Sequence, residues 1–289
     1  MLPARFDYHR PATLDEALAL LDTYGDDAKV LAGGQSLIPL MKLRFASPGH
    51  LIDVNRLQGL DAIEERDNVL RIGTLVRHNQ LAADAVIRAR YPTIATAAPQ
   101  IADPLVRNLG TIGGSLAHAD PSGDLGSVML ALGASVVLKS TSAEREVPIG
   151  DFLVDTFQTS IAPNEMLTDV HVPVPGPRAG GTYLKLERKV GDFATVAAAI
   201  YLELNDGAIG TAGIALTSVG LKNIKATAAE ASLVGSAPDE GAFAEAGRLA
   251  AEASRPVVDV RGSAEYKRHM VDVYVRRGLA TAFAMAGAA

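Results

Sequence analysis

The chain has 289 residues, 48% of them hydrophobic and 21% charged, with a net charge of −6 and no cysteine. This length suits two globular domains with a substantial core, and the acidic balance argues against the basic footprint of a nucleic-acid binder. The missing cysteines exclude disulfides, thiolate zinc, a cysteine nucleophile and a cysteine-ligated iron–sulfur cluster within this sequence. Its six histidines show no H-x-x-x-H spacing, so no metal site is expected. Nor is there a signal-peptide core near Met1 or an apolar run long enough to span a bilayer, so a cytoplasmic location is expected.

In chain order, Thr13 followed by Glu16 predicts a capping box. Leu14, Ala17, Leu18 and Leu21 then form the buried face of a helix. Residues 29–32 read as a buried strand running into Ala32-Gly33-Gly34-Gln35-Ser36. Residues 37–44 read as a short helix and 50–54 as a second strand, closing an α/β unit over 1–56. A strand is predicted at 69–73, a helix at 77–90 and another at 93–101. The segment 106–112 reads as apolar and strand-like around Thr111-Ile112-Gly113-Gly114-Ser115. A polar turn at 117–124 precedes an apolar run at 125–132 and a strand at 134–139. Prolines and glycines crowd 173–181, marking a domain boundary. Beyond it, 182–189, 194–204 and 208–216 read as three strands, the last two joined as a hairpin by the turn Asn205-Asp206-Gly207. Segments 226–233, 240–254 and 263–284 read as helices.

The two glycine pairs carry most of the chemistry. Glycine lets backbone approach a ligand closely, successive N–H groups in such turns form an anion-binding concavity, and each segment ends in a serine hydroxyl. Neither segment fits the G-x-G-x-x-G dinucleotide fingerprint or a P-loop. The reading is therefore two loops closing on one diphosphate, held mainly by neutral donors, with two ordinary tight turns as the alternative. Asp124 would accept hydrogen bonds from ribose or ribityl hydroxyls, or simply cap the helix that follows. Strand alternation puts Tyr183, Lys185 and Glu187 on one face. Lys185 would neutralise a phosphate or a reduced flavin, although a solvated face is the default. Phe193, presented from the turn after Gly191-Asp192, would cover a flat ring or join the core. His118, Asp120 and Ser122 are too crowded for a triad, and the G-x-S-x-G elbow is absent. With no convincing acid or base, a redox cofactor would carry the chemistry.

At this point longer motifs become informative. The segment Ala32-Gly33-Gly34-Gln35-Ser36 with 37–44, then 107–115, 119–124 and 188–194, resembles the FAD-binding medium subunits of molybdenum hydroxylases. Within that family the match is closest to the aerobic carbon monoxide dehydrogenase branch. The resemblance spans nearly the whole chain. It implies an α+β protein: a vanillyl-alcohol-oxidase-type FAD domain over 1–176, built from subdomains 1–56 and 57–176. A C-terminal flavoprotein domain over 177–289 would combine a three-stranded antiparallel sheet with a helical bundle. It also implies non-covalent FAD, with its diphosphate on Ala32, Gly33, Gly34, Gln35, Ser36 and on Thr111, Ile112, Gly113, Gly114, Ser115. Asp124 would meet cofactor hydroxyls, Leu167 and Ile101 would pack beside the cofactor, and Lys185 and Phe193 would approach the flavin. Molybdopterin and 2Fe–2S clusters would reside in a large and a small partner subunit, in a dimer of heterotrimers that is cytoplasmic or peripheral at the inner membrane. Two positions depart from the carbon monoxide pattern: Gln35 where His is frequent, and Phe193 where Tyr is frequent. A related xanthine, aldehyde or N-heterocycle hydroxylase subunit is the alternative within the family. A self-sufficient flavin oxidase and a cofactor-free scaffold are the alternatives outside it.

Overall fold

A computed structural model describes residues 2–288. Three large sheets organise them, beside a two-stranded ribbon of Leu153–Asp155 and Gln158–Thr159. The first is parallel, with Asp7–His9 and Ala28–Leu31 on either side of His50–Asp53. Helix Leu14–Tyr24 covers it, starting where the Thr13 hydroxyl accepts from the Glu16 N–H at 3.2 Å and burying Ala17, Leu18 and Leu21 against Ala28, Ile52 and Val54. The second sheet is antiparallel, in the order Ile63–Arg66, Val69–Gly73, Met166–Pro173, Ser135–Lys139 and Glu144–Pro148. Its central strand, Met166–Pro173, was not predicted, because Thr168, Asp169 and His171 interrupt the apolar pattern. Thr168 and Asp169 are nevertheless buried, the latter paired with Arg71 at 2.7 Å.

Between these sheets lie short helices that depart from the sequence expectation. The predicted helix at 77–90 is two helices, His78–Ala83 and Ala85–Arg90, because the Asp84 carboxylate turns back to cap the second at the Ile87 N–H, 2.9 Å away. The strand-like 106–112 is also helical. Asp103 caps Pro104–Leu109, accepting from the N–H groups of Leu105 and Val106. Thr111 then caps Ile112–His118. An Asp-Pro start and a Thr cap outweigh the apolar composition.

The C-terminal sheet is antiparallel and has four strands rather than three: Ala179–Leu186, Val196–Asn205, Ala208–Thr217 and the short Ile224–Lys225. Gly180 and Gly181 belong to its first strand rather than to the boundary loop. A Cβ on Gly180 would overlap the Ala282 carbonyl of helix Ala264–Ala288, which crosses there. The hairpin turn is as predicted, with Asp206 and Gly207 both at positive φ.

Alternation along Val196–Asn205 divides the sheet between two cores. Val196, Ala198, Ile200 and Leu202 face helices Thr227–Leu233, Glu240–Ala253 and Ala264–Ala288, whereas Ala197 and Ala199 join the core of the middle sheet. The second face is built from small residues because helix Asp124–Ala131 lies close against it. Among the described residues no helix is long and apolar enough to cross a membrane.

Replacing Gly213 by Ala tests that closeness, since the added Cβ would overlap the Ala131 carbonyl oxygen and lie 2.8 Å from its carbon. Backbone on both sides cannot yield, so the expected cost in denaturant unfolding is about 1–3 kcal/mol. A loss within the ~0.5 kcal/mol of a neutral surface change would show that the two layers are not in rigid contact.

Candidate functional site

One large cavity, about 710 Å³, runs across all three parts of the fold, within the roughly 300–1,000 Å³ of small-molecule and cofactor sites. Its walls include the loop after strand Ala28–Leu31, the start of helix Ile112–His118, the strand around Leu167, and Lys185 and Phe193 of the C-terminal domain.

The first glycine loop makes the site possible. Gly34 has φ +73°, the left-handed region, and a Cβ there would lie 2.7 Å from Ile38 Cδ1. Gly33 passes so close to the second loop that a Cβ would run into the Leu109 carbonyl oxygen and lie 2.8 Å from Gly110 Cα. The N–H groups of Gly33, Gly34, Gln35 and Ser36 donate to no protein acceptor among the described residues. The Gln35 amide donates to the Gly33 carbonyl at 3.1 Å, stiffening the turn. These unspent donors, at the mouth of a strand-to-helix turn, leave a concavity of backbone N–H groups of the kind that binds anions.

The second glycine pair behaves differently. Its backbone donors are spent inside the protein: Ile112 N–H on Val76, Gly113 on Thr74, Gly114 on the Thr111 hydroxyl and Ser115 on the Thr111 carbonyl. Thr111, Gly113, Gly114 and Ser115 line the cavity, whereas Ile112 is fully buried in the core and does not. This half contributes close backbone approach and the Ser115 hydroxyl.

Side chains not foreseen from the sequence brace the two loops. The Asn55 amide donates to the Ala32 carbonyl at 2.8 Å, and Arg77 donates both to Asn55 Oδ1 at 2.7 Å and to the Leu109 carbonyl. No local pattern marks Asn55 or Arg77, because their roles exist only once the sheets meet.

The remaining expected residues converge. Asp124 is the first residue of helix Asp124–Ala131 and does not cap it. Its carboxylate takes the Tyr183 hydroxyl at 2.6 Å and Lys185 Nζ at 3.2 Å. Burial pushes the Asp124 carboxyl up, against the opposing pull of Lys185 and the Tyr183 hydrogen bond. The face carrying Tyr183 and Lys185 is thus buried rather than solvated, with the Lys185 side chain 1% exposed. Ile101 and Leu167 line the cavity. Phe193 does too and is half exposed, its turn held by Asp192, which accepts from the Phe193 N–H at 2.8 Å and from Arg261 at 3.0 Å. Among the described residues no group of histidines and carboxylates is arranged to hold a metal.

Such a cavity, with unspent glycine-loop N–H groups on one wall and a buried lysine on another, has the donors that a diphosphate-bearing cofactor needs. Comparison with known proteins specifies the class. Residues 4–175 match the family model described as "FAD binding domain in molybdopterin dehydrogenase", and 181–282 match "CO dehydrogenase flavoprotein C-terminal domain". The chain belongs to this family of FAD-binding flavoprotein subunits. It is 40% identical to the carbon monoxide dehydrogenase medium chain of Hydrogenophaga pseudoflava, over 98% of this chain and 99% of that one. It is 39% identical to the 6-hydroxypseudooxynicotine dehydrogenase complex subunit alpha of Paenarthrobacter nicotinovorans, over 98% and 96%. A solved carbon monoxide dehydrogenase from H. pseudoflava, lacking the Mo-pyranopterin moiety, superposes with TM-score 0.95 at 42% identity, covering 99% of each chain.

His78 gives the cavity wall a pH signature. It is buried beneath Gly110, and its Nδ1 has no hydrogen-bond partner among the described residues. Burial, then the charges of Arg107 and Arg77, pull its pKa from 6.5 down to about 4. The unfolded chain takes up a proton at His78 below about 6.5, while the folded chain resists until about 4. The stability present above 6.5 is therefore lost as pH falls through this window, at up to ~1.4 kcal/mol per pH unit. In His78→Gln, unfolding free energy should fall less steeply between pH 6.5 and 4; parallel slopes would show that His78 protonates freely in the fold.

Proposed function

We propose that this chain is the FAD-carrying electron-transfer subunit of a heterotrimeric molybdenum hydroxylase, with FAD held non-covalently in the cavity described above. The observation that carries this reading is the cradle of four unspent backbone N–H groups at Gly33–Ser36, locked against Gly110 and facing a cavity of cofactor size. In this reading residues 32–36 and the surface of 111–115 hold the diphosphate, with neutral N–H groups and the Ser36 and Ser115 hydroxyls supplying the contacts. Asp124 orients cofactor hydroxyls, Ile101 and Leu167 wall the cofactor, Lys185 presents positive charge, and Phe193 covers the flat ring. The FAD domain occupies 1–176, as subdomains 1–56 and 57–176, and the C-terminal domain 177–289.

Bound FAD supplies the redox chemistry, accepting electrons singly and releasing them in pairs. The chain's own residues position it and exclude water. With no cysteine in the sequence, the 2Fe–2S clusters that deliver electrons belong to a small partner subunit and the molybdopterin centre to a large one. The assembly is a dimer of heterotrimers, cytoplasmic or resting on the inner membrane through the complex. Carbon monoxide is the favoured substrate of the large subunit, supported by the medium chain of H. pseudoflava. A near-equal identity to the 6-hydroxypseudooxynicotine dehydrogenase subunit favours an N-heterocycle hydroxylase as the second reading.

The test is the visible flavin spectrum of the purified assembly and of its Gly34→Val variant. The wild type should carry FAD. The variant should retain roughly a tenth or less, because a branched side chain at φ +73° displaces the cradle, and each ~1.4 kcal/mol of lost binding is tenfold. A colourless wild type would favour a scaffold, substrate turnover by the isolated chain would favour a self-sufficient oxidase, and unchanged flavin in Gly34→Val would remove the loop from the site.

A further inference from the structure

Lys185 lines the cavity, but its ammonium is already engaged from behind. Nζ donates to the Gln100 carbonyl at 3.0 Å and to Asp124 Oδ2 at 3.2 Å, and it lies 3.6 Å from Glu187 Oε2. Asp124 shares the cavity wall, whereas Glu187 does not reach it. The two carboxylates also differ in how they are held. Asp124 is fixed through both oxygens, by the Tyr183 hydroxyl and by Lys185. Glu187 Oε2 is buried and accepts no hydrogen bond among the described residues. A buried carboxylate oxygen without a donor is costly and calls for a compensating interaction, and the Lys185 ammonium is the group placed to supply it.

We propose that Glu187 is a positioning residue that governs how much positive charge Lys185 presents to the cavity, and that it thereby lowers the reduction potential of a flavin bound there. The proposal rests on the FAD reading above. Reduction by two electrons with uptake of one proton leaves the ring system one charge more negative than before. A cation on the wall favours that change, and a second carboxylate behind the cation cancels part of its field in a low-dielectric setting. Glu187 also holds the ammonium back among Gln100, Asp124 and itself. Charge and geometry therefore act in the same direction.

The experiment is a reductive titration of the FAD-loaded chain, in the assembly with its partner subunits, using dithionite as electron donor and a reference dye. Flavin content is measured first. Glu187→Gln keeps the size and removes the charge, so its flavin midpoint should move to a more positive potential. Glu187→Asp keeps the charge and should stay near wild type. An unmoved midpoint in fully loaded Glu187→Gln would overturn the proposal, as would equal shifts in both variants, which would report packing instead of charge. Loss of flavin from either variant would assign Glu187 to holding the cavity together and would also overturn it. A wild-type assembly without flavin would instead overturn the FAD reading on which the proposal stands.

Discussion

The contact between Gly33 and the Leu109–Gly110 backbone is the constraint on which the rest of the site depends. The first segment follows a strand of the parallel sheet and the second joins two helices, and neither surrounds a ligand alone. Only the absence of a Cβ lets their backbones touch. Once they do, the unspent N–H groups of the first loop have a floor behind them, and Asn55 and Arg77 fasten the two sides through Ala32 and Leu109. The division of labour follows. The first loop leaves its donors without a protein acceptor among the described residues, whereas the second spends its own on Val76, Thr74 and Thr111 to become a rigid surface. A protein of net charge −6 can in this way offer an anion a local site made of dipoles and the buried Lys185.

The C-terminal domain is part of this construction. Its sheet shows large apolar residues to the terminal helices and alanines to the middle sheet, so helix Asp124–Ala131 lies almost on its backbone. That packing brings Tyr183 and Lys185 of one domain within hydrogen-bonding distance of Asp124 in the other. A bulkier inner face would hold the sheet away and separate the cation from the cavity.

Much of this was legible in the sequence where a signal is local. The strand before Gly33, the Asn205-Asp206-Gly207 hairpin and the terminal helices rest on short-range pattern and lie where read, and Thr13 caps its helix, although the Glu16 carboxylate takes the Ala12 N–H instead of closing the box on Thr13. The errors arise where long-range packing decides. Met166–Pro173 carries two buried polar residues that need partners from neighbouring strands, Arg71 for Asp169 and the Val137 carbonyl for Thr168. The 106–112 segment has strand-like composition but helix-capping residues at Asp103 and Thr111. The face of Tyr183 and Lys185 looked solvent-exposed because alternating polar residues usually are; here a second domain covers it. Asn55 and Arg77 had no signal at all, since bridging two loops is a property of the assembled fold.

The buried cluster of Lys185, Asp124 and Glu187 gives the cavity a defined electrostatic interior. Relatives at nearly equal identity are named for chemically different substrates, while the family model over residues 4–175 is described by its FAD. In the proposed role, the requirement is a flavin whose potential lies between donor and acceptor. Surface charges serve this poorly, because water and salt screen them. A lysine with a 1% exposed side chain, set between one carboxylate on the cavity wall and another behind it, keeps its field in a medium where small changes of charge balance are felt. The cost is a buried Glu187 oxygen that accepts no hydrogen bond among the described residues, and a fold selected for stability alone would have no reason to bury it there.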